Sequence, residues 1–466
     1  MASIVAEKTT NAIHHQAEPQ SNDWRDRTAV AEPKSLRTYT PSLAVIARSA
    51  GSYHFTPEGR KLADFSSGVL VANLGHNPTR WWKRVIEYMQ LGELGTTDSN
   101  YIEAAPLTAY NAITPLEIQA CERLLANMRV QPGGNRMEQV LWAASGSEAI
   151  QKSLWAAMAR SPGRNKIIAT RGGFHGKKGL AGAVTGSEQD KERDPRVRFI
   201  SFPKQECISV QRRRQSIDLA PYEAELKKLS EEMGDEISCL ITEPYLGGGG
   251  SFHPQPEYLQ LLERFCRQHD ALLILDEIQS NFGRTGPMYA FSHYGLEPDI
   301  VCLGKGLGNG IPVAAAVGRR DVFDHLKYGE GSDTWSANPI SAAAVLATLD
   351  EFENEDILDQ GKKLSSHIEA GLMRLSDCPI VAHVRGEGCV WGIEFNPFGN
   401  CTAEEVANRC VEACYLGTED GKAIHLLGPL AGKVIRISPP LTMSVPHAEI
   451  YLNAMCDIFA KVAKQC

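Results

Sequence analysis

The sequence predicts an α/β fold: a mainly parallel sheet flanked by helices, with a second, smaller domain beside it. Three observations carry this. Short apolar runs at 140–145, 166–170, 239–245, 272–278 and 300–304 read as buried strands. Helical patterns at 148–159 and 258–269 lie between several of them, and strand alternating with helix at this spacing argues for a parallel layer. At 466 residues the chain is too long for one core, since single cores stop growing near ~250–300 residues.

The elements follow in order. Residues 1–35 are rich in Ala, Thr, Glu, Gln and Asn and carry few large apolar side chains after Ile13. A mobile, disordered arm is expected there, with ordered structure starting near Tyr39. The stretch GSYHFTPEGRKLADFSSG (51–68) reads as short strands around a Pro-Glu-Gly turn. Residues 78–92 fit an amphipathic helix with Trp81, Val85, Ile86 and Met89 as its apolar stripe. The strand–helix alternation comes next. After Asn338 the pattern is helical to about Leu375, then mixed up to a closing helix at 447–463. The expected organisation is the arm over 1–35, an N-terminal segment of the small domain over 36–100, the large domain over 101–340, and the C-terminal small domain over 341–466.

Composition narrows the function classes. Lys and Arg number 48 against 56 Asp and Glu, a net charge of −8, which argues against a nucleic-acid footprint. No apolar run reaches the ~18 residues needed to span a bilayer, so no membrane association is expected. The start, MASIVAEKTTNAIHHQ, lacks a signal-peptide core. The 12 cysteines contain no CxxC, and the Cys410–Cys414 pair has no nearby histidines. A reducing, cytoplasmic compartment and no metal site are expected.

Three motifs carry chemistry. Ser145-Gly146-Ser147-Glu148 directly follows a strand; Ser145 and Glu148 fit a capping box, and a helix start with small residues offers backbone N–H groups to an anion. By itself this is also an ordinary helix cap. Asp276 ends the apolar run LLILD, at the edge where open α/β sheets bind ligands. An acid there is costly to bury without a partner, and a local Arg or loop amides would equally satisfy it. Lys305 stands between Gly304 and Gly306 after IVCLG; a partly desolvated lysine is a nucleophile for carbonyls, while most lysines are simply solvated. Taken together, a phosphate cradle, an acid and an amine at strand ends are the set a pyridoxal 5′-phosphate site needs.

At this point the sequence resembles the class III pyridoxal-phosphate aminotransferases, of fold type I, from about residue 40 to the C-terminus. The resemblance rests on DEIQSNFGRTG (276–286) followed by DIVCLGKGLGNGIPVAA (299–315), with GGFHGKKG (172–179), Glu243-Pro244, VRGEGCVWGIEF (384–395) and VIRISPPLT (434–442) in support. DFSSGVLVANLGHNP (64–78) is similar to the family's N-terminal strand. It implies a large cofactor-binding domain and a small α+β domain from the N- and C-terminal segments. It implies that Lys305 forms the Schiff base (the internal aldimine) and shuttles the proton. Asp276 would pair with the pyridine nitrogen and Gln279 reach the ring 3-oxygen. Ile278 would pack on one ring face and Phe174 on the other. Gly146 and Ser147 would hold the phosphate, and Thr334 would bind the phosphate of the neighbouring subunit. That implies a homodimer with shared active sites, or a tetramer of such dimers. Arg436 matches the arginine that often takes a substrate carboxylate, where a planar fork suits a carboxylate as Lys does not.

The chain departs from the family pattern in places. The second Glu of EPxQGEGG, which can pair with the carboxylate arginine, is Gly248. Gly-Gly-Asn after the partner-subunit Thr becomes Ser336-Ala337-Asn338, and Lys177 and Lys178 replace Arg-Thr. These bear on substrate identity. The reaction implied is a ping-pong transfer of an amino group from an amino acid or ω-amine donor to a 2-oxo acid. A racemase, aminomutase or decarboxylase on the same scaffold stays open, because the orientation of the breaking bond selects among them. A noncatalytic protein on this fold is disfavoured by the presence of Lys305.

Overall fold

The computed structural model describes residues 13–190 and 193–466. Three short strands come first: β1 (Arg48–Ala50), β2 (Tyr53–Phe55) and β3 (Lys61–Asp64). Seven central strands follow: β4 (Gln139–Ala143), β5 (Lys166–Thr170), β6 (Val197–Ile200), β7 (Ile237–Thr242), β8 (Leu272–Asp276), β9 (Ile300–Leu303) and β10 (Ala314–Gly318). Four more lie near the C-terminus: β11 (Val381–Glu387), β12 (Val390–Phe395), β13 (Ala423–His425) and β14 (Val434–Ile437).

The central sheet runs β4-β10-β9-β8-β7-β5-β6. All pairs from β9 to β6 are parallel, while β10 is antiparallel to both β4 and β9. Every residue of β7, β8, β9 and β10 is buried, as expected for strands with covered faces. The five apolar runs are all strands of this sheet. Sequence patterning gave no strand at β6 or β10. In β10 the reason is composition: Ala314, Ala315 and Ala316 have low strand propensity, and burial between two partners decides their conformation.

The helix Gly146–Arg160 opens with the capping box expected from Ser145 and Glu148. The helix Thr79–Tyr88 buries Trp81 and Val85, with Met89 buried at its end, whereas Ile86 faces solvent. Trp81 packs on the Ala-rich helix Pro339–Asn354 and donates its indole N–H to Thr348 at 3.0 Å.

The chain ends meet in two small sheets. One has the order β1-β2-β3-β13, with β3 and β13 parallel; the other is antiparallel, β11-β12-β14. Fully buried Arg284 ties them to the large sheet. It donates to the carbonyls of Cys389 (2.9 Å) and Pro439 (2.6 Å), to Ser67 Oγ (3.1 Å) and to Asn73 Oδ1 (2.6 Å).

The expected disordered arm over 1–35 is corrected in part. Residues 1–12 lie outside the described residues, but Pro19–Ala31 is a helix. Polar contacts hold it: buried Arg25 donates to Glu18 (2.7 Å), and Glu18 accepts from Arg60 (2.5 Å) and from Tyr415 OH (2.9 Å). The helix has no apolar stripe, so hydrophobic patterning could not reveal it. Among the described residues, no helix is long and apolar enough to cross a membrane. All 12 cysteines are free thiols.

Candidate active site

Strands β4, β5, β7, β8 and β9 point the same way, and the segments leaving their carboxyl ends meet. They deliver Ser145–Ser147, Phe174 and His175, Glu243, Asp276, Ile278 and Gln279, and Lys305 to one cavity of about 210 Å³. The carboxyl edge of an open sheet is where such folds bind ligands.

Lys305 stands two residues past the end of β9 with φ of 47°, a left-handed conformation rare outside glycine. The chain turns sharply here, and the turn brings the lysine to the cavity. Neighbouring Gly306 has no room for a side chain, since a Cβ would lie 2.6 Å from Asn73 Nδ2. Burial pushes the Lys305 amine down to about 8, against the pull of the Asp276 and Glu243 carboxyls.

Asp276 is buried and held at both oxygens. Its Oδ2 lies 2.8 Å from His175 Nδ1, and its Oδ1 accepts the amide of Ile278 at 3.1 Å. Glu243 accepts the amides of Phe174 (2.9 Å) and Gly247 (3.1 Å), fixing the segment that carries the aromatic ring. Burial, with Asp276 nearby, pushes its carboxyl up to about 7.

Ile278 lies against the start of the helix Gly146–Arg160. A Cβ on Gly146 would meet its Cδ1 at 2.8 Å, so only glycine lets the two approach. That 15-residue helix starts with the amides of Gly146 and Ser147, which the Ser145–Glu148 capping box does not use. Gln279 Oε1 accepts from Arg436 Nη1 at 3.2 Å and from Tyr245 OH at 3.4 Å.

The structure therefore brings together Gly146, Ser147, Phe174, Asp276, Ile278, Gln279 and Lys305. Arg436 does not line the cavity; 4% exposed, it hydrogen-bonds to Gln279, which does. Thr334 is exposed and outside the cavity. Its loop is anchored by Asp333, which accepts from Lys152 Nζ (2.7 Å) on the helix Gly146–Arg160. His175 and Glu243 stand inside sequence motifs that carry no expected role for them. Their positions just past β5 and β7 were the available signal.

The donor set fits pyridoxal phosphate. A held carboxylate, an amine with a lowered pKa and a helix start line one cavity, with Ile278 and Phe174 as apolar walls. Phe174 is 41% exposed, which leaves a ring face free to pack on a planar ligand.

Comparison with known proteins agrees. A model of the class III aminotransferase family matches residues 35–459. An acetylornithine aminotransferase of Streptomyces coelicolor is 30% identical over 426 residues, 91% of this chain and 93% of that protein. A 5-aminovalerate aminotransferase of Pseudomonas putida is 29% identical over 442 residues, 94% and 98% of the two chains. Among solved structures, an aminotransferase of Bacillus anthracis superposes with TM-score 0.80 at 22% identity, covering 95% of this chain and 99% of that one. The matched stretch contains every residue lining the cavity, and the chain belongs to the class III aminotransferase family, enzymes dependent on pyridoxal phosphate.

Proposed function

We propose that this aminotransferase takes a carboxylate-bearing amine, an amino acid or ω-amino acid, as donor and a 2-oxo acid as acceptor, with Arg436 as the shared anchor. The observation carrying this is the Arg436–Gln279 hydrogen bond at 3.2 Å. Gln279 is neutral, Gly248 stands where the family can place a glutamate, and among the described residues no carboxylate lies within ion-pair distance of the guanidinium, Glu243 acting on it only from further off. Arg436 Nε is buried and without a hydrogen-bond partner, and an unpartnered buried donor favours a ligand that completes it. One anchor then serves both half-reactions.

When bound, pyridoxal phosphate supplies the electron sink for the pair left as a proton departs the amine-bearing carbon. The chain's residues do the rest. Asp276, oriented by His175 and the Ile278 amide, would keep a proton on the pyridine nitrogen. Gly146 and Ser147 would hold the phosphate at the helix start. Ile278 and Phe174 would fix the plane of the ring. Lys305 Nζ takes the proton from the donor carbon and returns it, and its lowered pKa keeps a share of neutral amine near pH 7. Thr334, exposed on an anchored loop, would reach the phosphate site of a second copy in a homodimer. A cytoplasmic location is part of the same reading, supported by 12 unpaired cysteines.

The test adds amino donors one at a time, without a 2-oxo acid, to the purified holoenzyme and follows its visible absorbance. Conversion to the aminated cofactor with a carboxylate-bearing donor, and not with the matching amine lacking the carboxylate, is expected. Equal conversion by both would overturn the role of Arg436.

A further inference from the structure

Away from the cavity, the small sheet gathers three histidines and an aspartate. The strand pairing puts them together. Asp64 on β3 lies directly opposite His425 on β13, so their side chains share a face. His54 on β2 lies opposite Leu62, two residues from Asp64, and alternation returns it to that face. The bridge between Gly51 and His76 adds the third histidine at the edge. One ligand atom each from His54, Asp64 and His425 lies within 4.8 Å of the others.

Two buried ring nitrogens of this cluster, His54 Nε2 and His425 Nδ1, have no hydrogen-bond partner in the protein. Asp64 is 0% exposed; its Oδ1 takes the amide and hydroxyl of Ser66, which leaves Oδ2 facing the imidazoles. His54 is 3% exposed, and its Nε2 stands 3.5 Å from that oxygen without a hydrogen bond. His54 Nδ1 lies 2.7 Å from Ser49 Oγ, a contact that orients the ring with Nε2 toward Asp64. His425 Nδ1 is also buried and unpartnered. His76 Nε2 lies 2.7 Å from Asp64 Oδ2, on the side where the cluster meets solvent.

We propose that His54 Nε2, His425 Nδ1 and Asp64 Oδ2 bind a divalent transition metal, zinc being the best fit, in a site separate from catalysis. Two imidazoles and a carboxylate suit zinc, whose ligand bonds of about 2.0–2.2 Å put tetrahedral ligand atoms about 3.3–3.5 Å apart. The 3.5 Å between His54 and Asp64 already has that spacing. His76 Nε2, 2.7 Å from Asp64 Oδ2, would hydrogen-bond to the bound carboxylate, and the fourth position is left to a solvent ligand. The ion would pin β2, β3 and β13 together, joining the N-terminal part of the chain to its C-terminal part.

The test uses tag-free holoenzyme, dialysed against a chelator and titrated with zinc chloride, with metal content measured by mass spectrometry. One zinc per chain is expected, with a higher unfolding temperature, and the double variant His54→Ala/His425→Ala should bind about tenfold more weakly or worse. Less than one zinc per chain in the wild type would overturn the proposal. So would a double variant that keeps the zinc and the thermal shift. Should the variant not fold, cobalt in the wild type decides. Ligand-field bands without thiolate charge transfer support the site, and a thiolate band moves the metal to cysteine and refutes it.

Discussion

His175 Nδ1 lies 2.8 Å from Asp276 Oδ2, and both side chains are buried beside the cavity. The carboxylate's other contact is one backbone amide, so the imidazole is half of its support. Replacing His175 by Ala should cost about 1–3 kcal/mol of cofactor binding, the price of a buried charged acceptor losing a donor. Absorbance titration of cofactor-stripped protein reads this directly, and an unchanged affinity would place the support of Asp276 elsewhere.

Lys305→Ala should abolish turnover while leaving circular dichroism and unfolding temperature near wild type, because it removes the base and the nucleophilic amine. The wild-type amine, lowered to about 8, sets a pH signature for reloading stripped enzyme with cofactor. The neutral fraction, and with it the reloading rate, should rise about tenfold per unit below pH 8 and level off above it. A rate that kept rising to pH 10 would mean an ordinary solvated lysine.

Arg436→Lys should raise KM for the 2-oxo acid, with the loss of one charge-assisted bond worth about 1.5–3 kcal/mol, and should change kcat less. Steady-state kinetics with two acceptors of different length check it. An unaltered KM for both would move the carboxylate anchor to another residue.

Glu243 gives a stability signature. Its carboxyl is raised to about 7 in the fold, so the folded chain holds more protons than the unfolded chain between about pH 4.5 and 7. By linkage, stability is lost as pH rises through that window. Glu277, also raised to about 7 by burial, adds to the same slope. Glu243→Gln should flatten the fall in unfolding temperature between pH 5 and 7 in stripped enzyme without removing it.

Gly248→Glu should weaken cofactor binding. A Cβ at Gly248 would sit 2.9 Å from Phe174 Cβ, and the backbone there cannot yield without moving the aromatic ring. The new carboxylate would also approach the region of Arg436. A several-fold rise in cofactor dissociation constant, together with a higher KM for the oxo acid, is the expected pair of effects. A variant with both constants unchanged would show that this loop relaxes freely.

Much of this was legible in the sequence, for physical reasons. Strands such as Leu272–Asp276 are buried throughout, so an unbroken apolar run marks them. Asp276 and Lys305 stand at or just past strand ends, where a charge is conspicuous. His175 and Glu243 were less visible because their roles depend on contacts across loops 69 and 101 positions apart in the chain. The helix Pro19–Ala31 escaped notice because ion pairs and a tyrosine hydroxyl hold it, and these leave no periodic trace. Arg436 was placed by motif, but Gln279 standing next to it depends on folded geometry.

The parallel pairing of Lys61–Asp64 with Ala423–His425 has a consequence for synthesis. A ribosome releases the first of these strands long before the second exists. Until then β3 has β2 on one side and an unpaired edge on the other, exposed for most of translation. The large sheet, whose strands lie between residues 139 and 318, has no such wait. Assembly should therefore proceed from the middle outward, with the two ends of the polypeptide sutured last. A nascent chain stalled before Ala423 would present its open strand edge to chaperones.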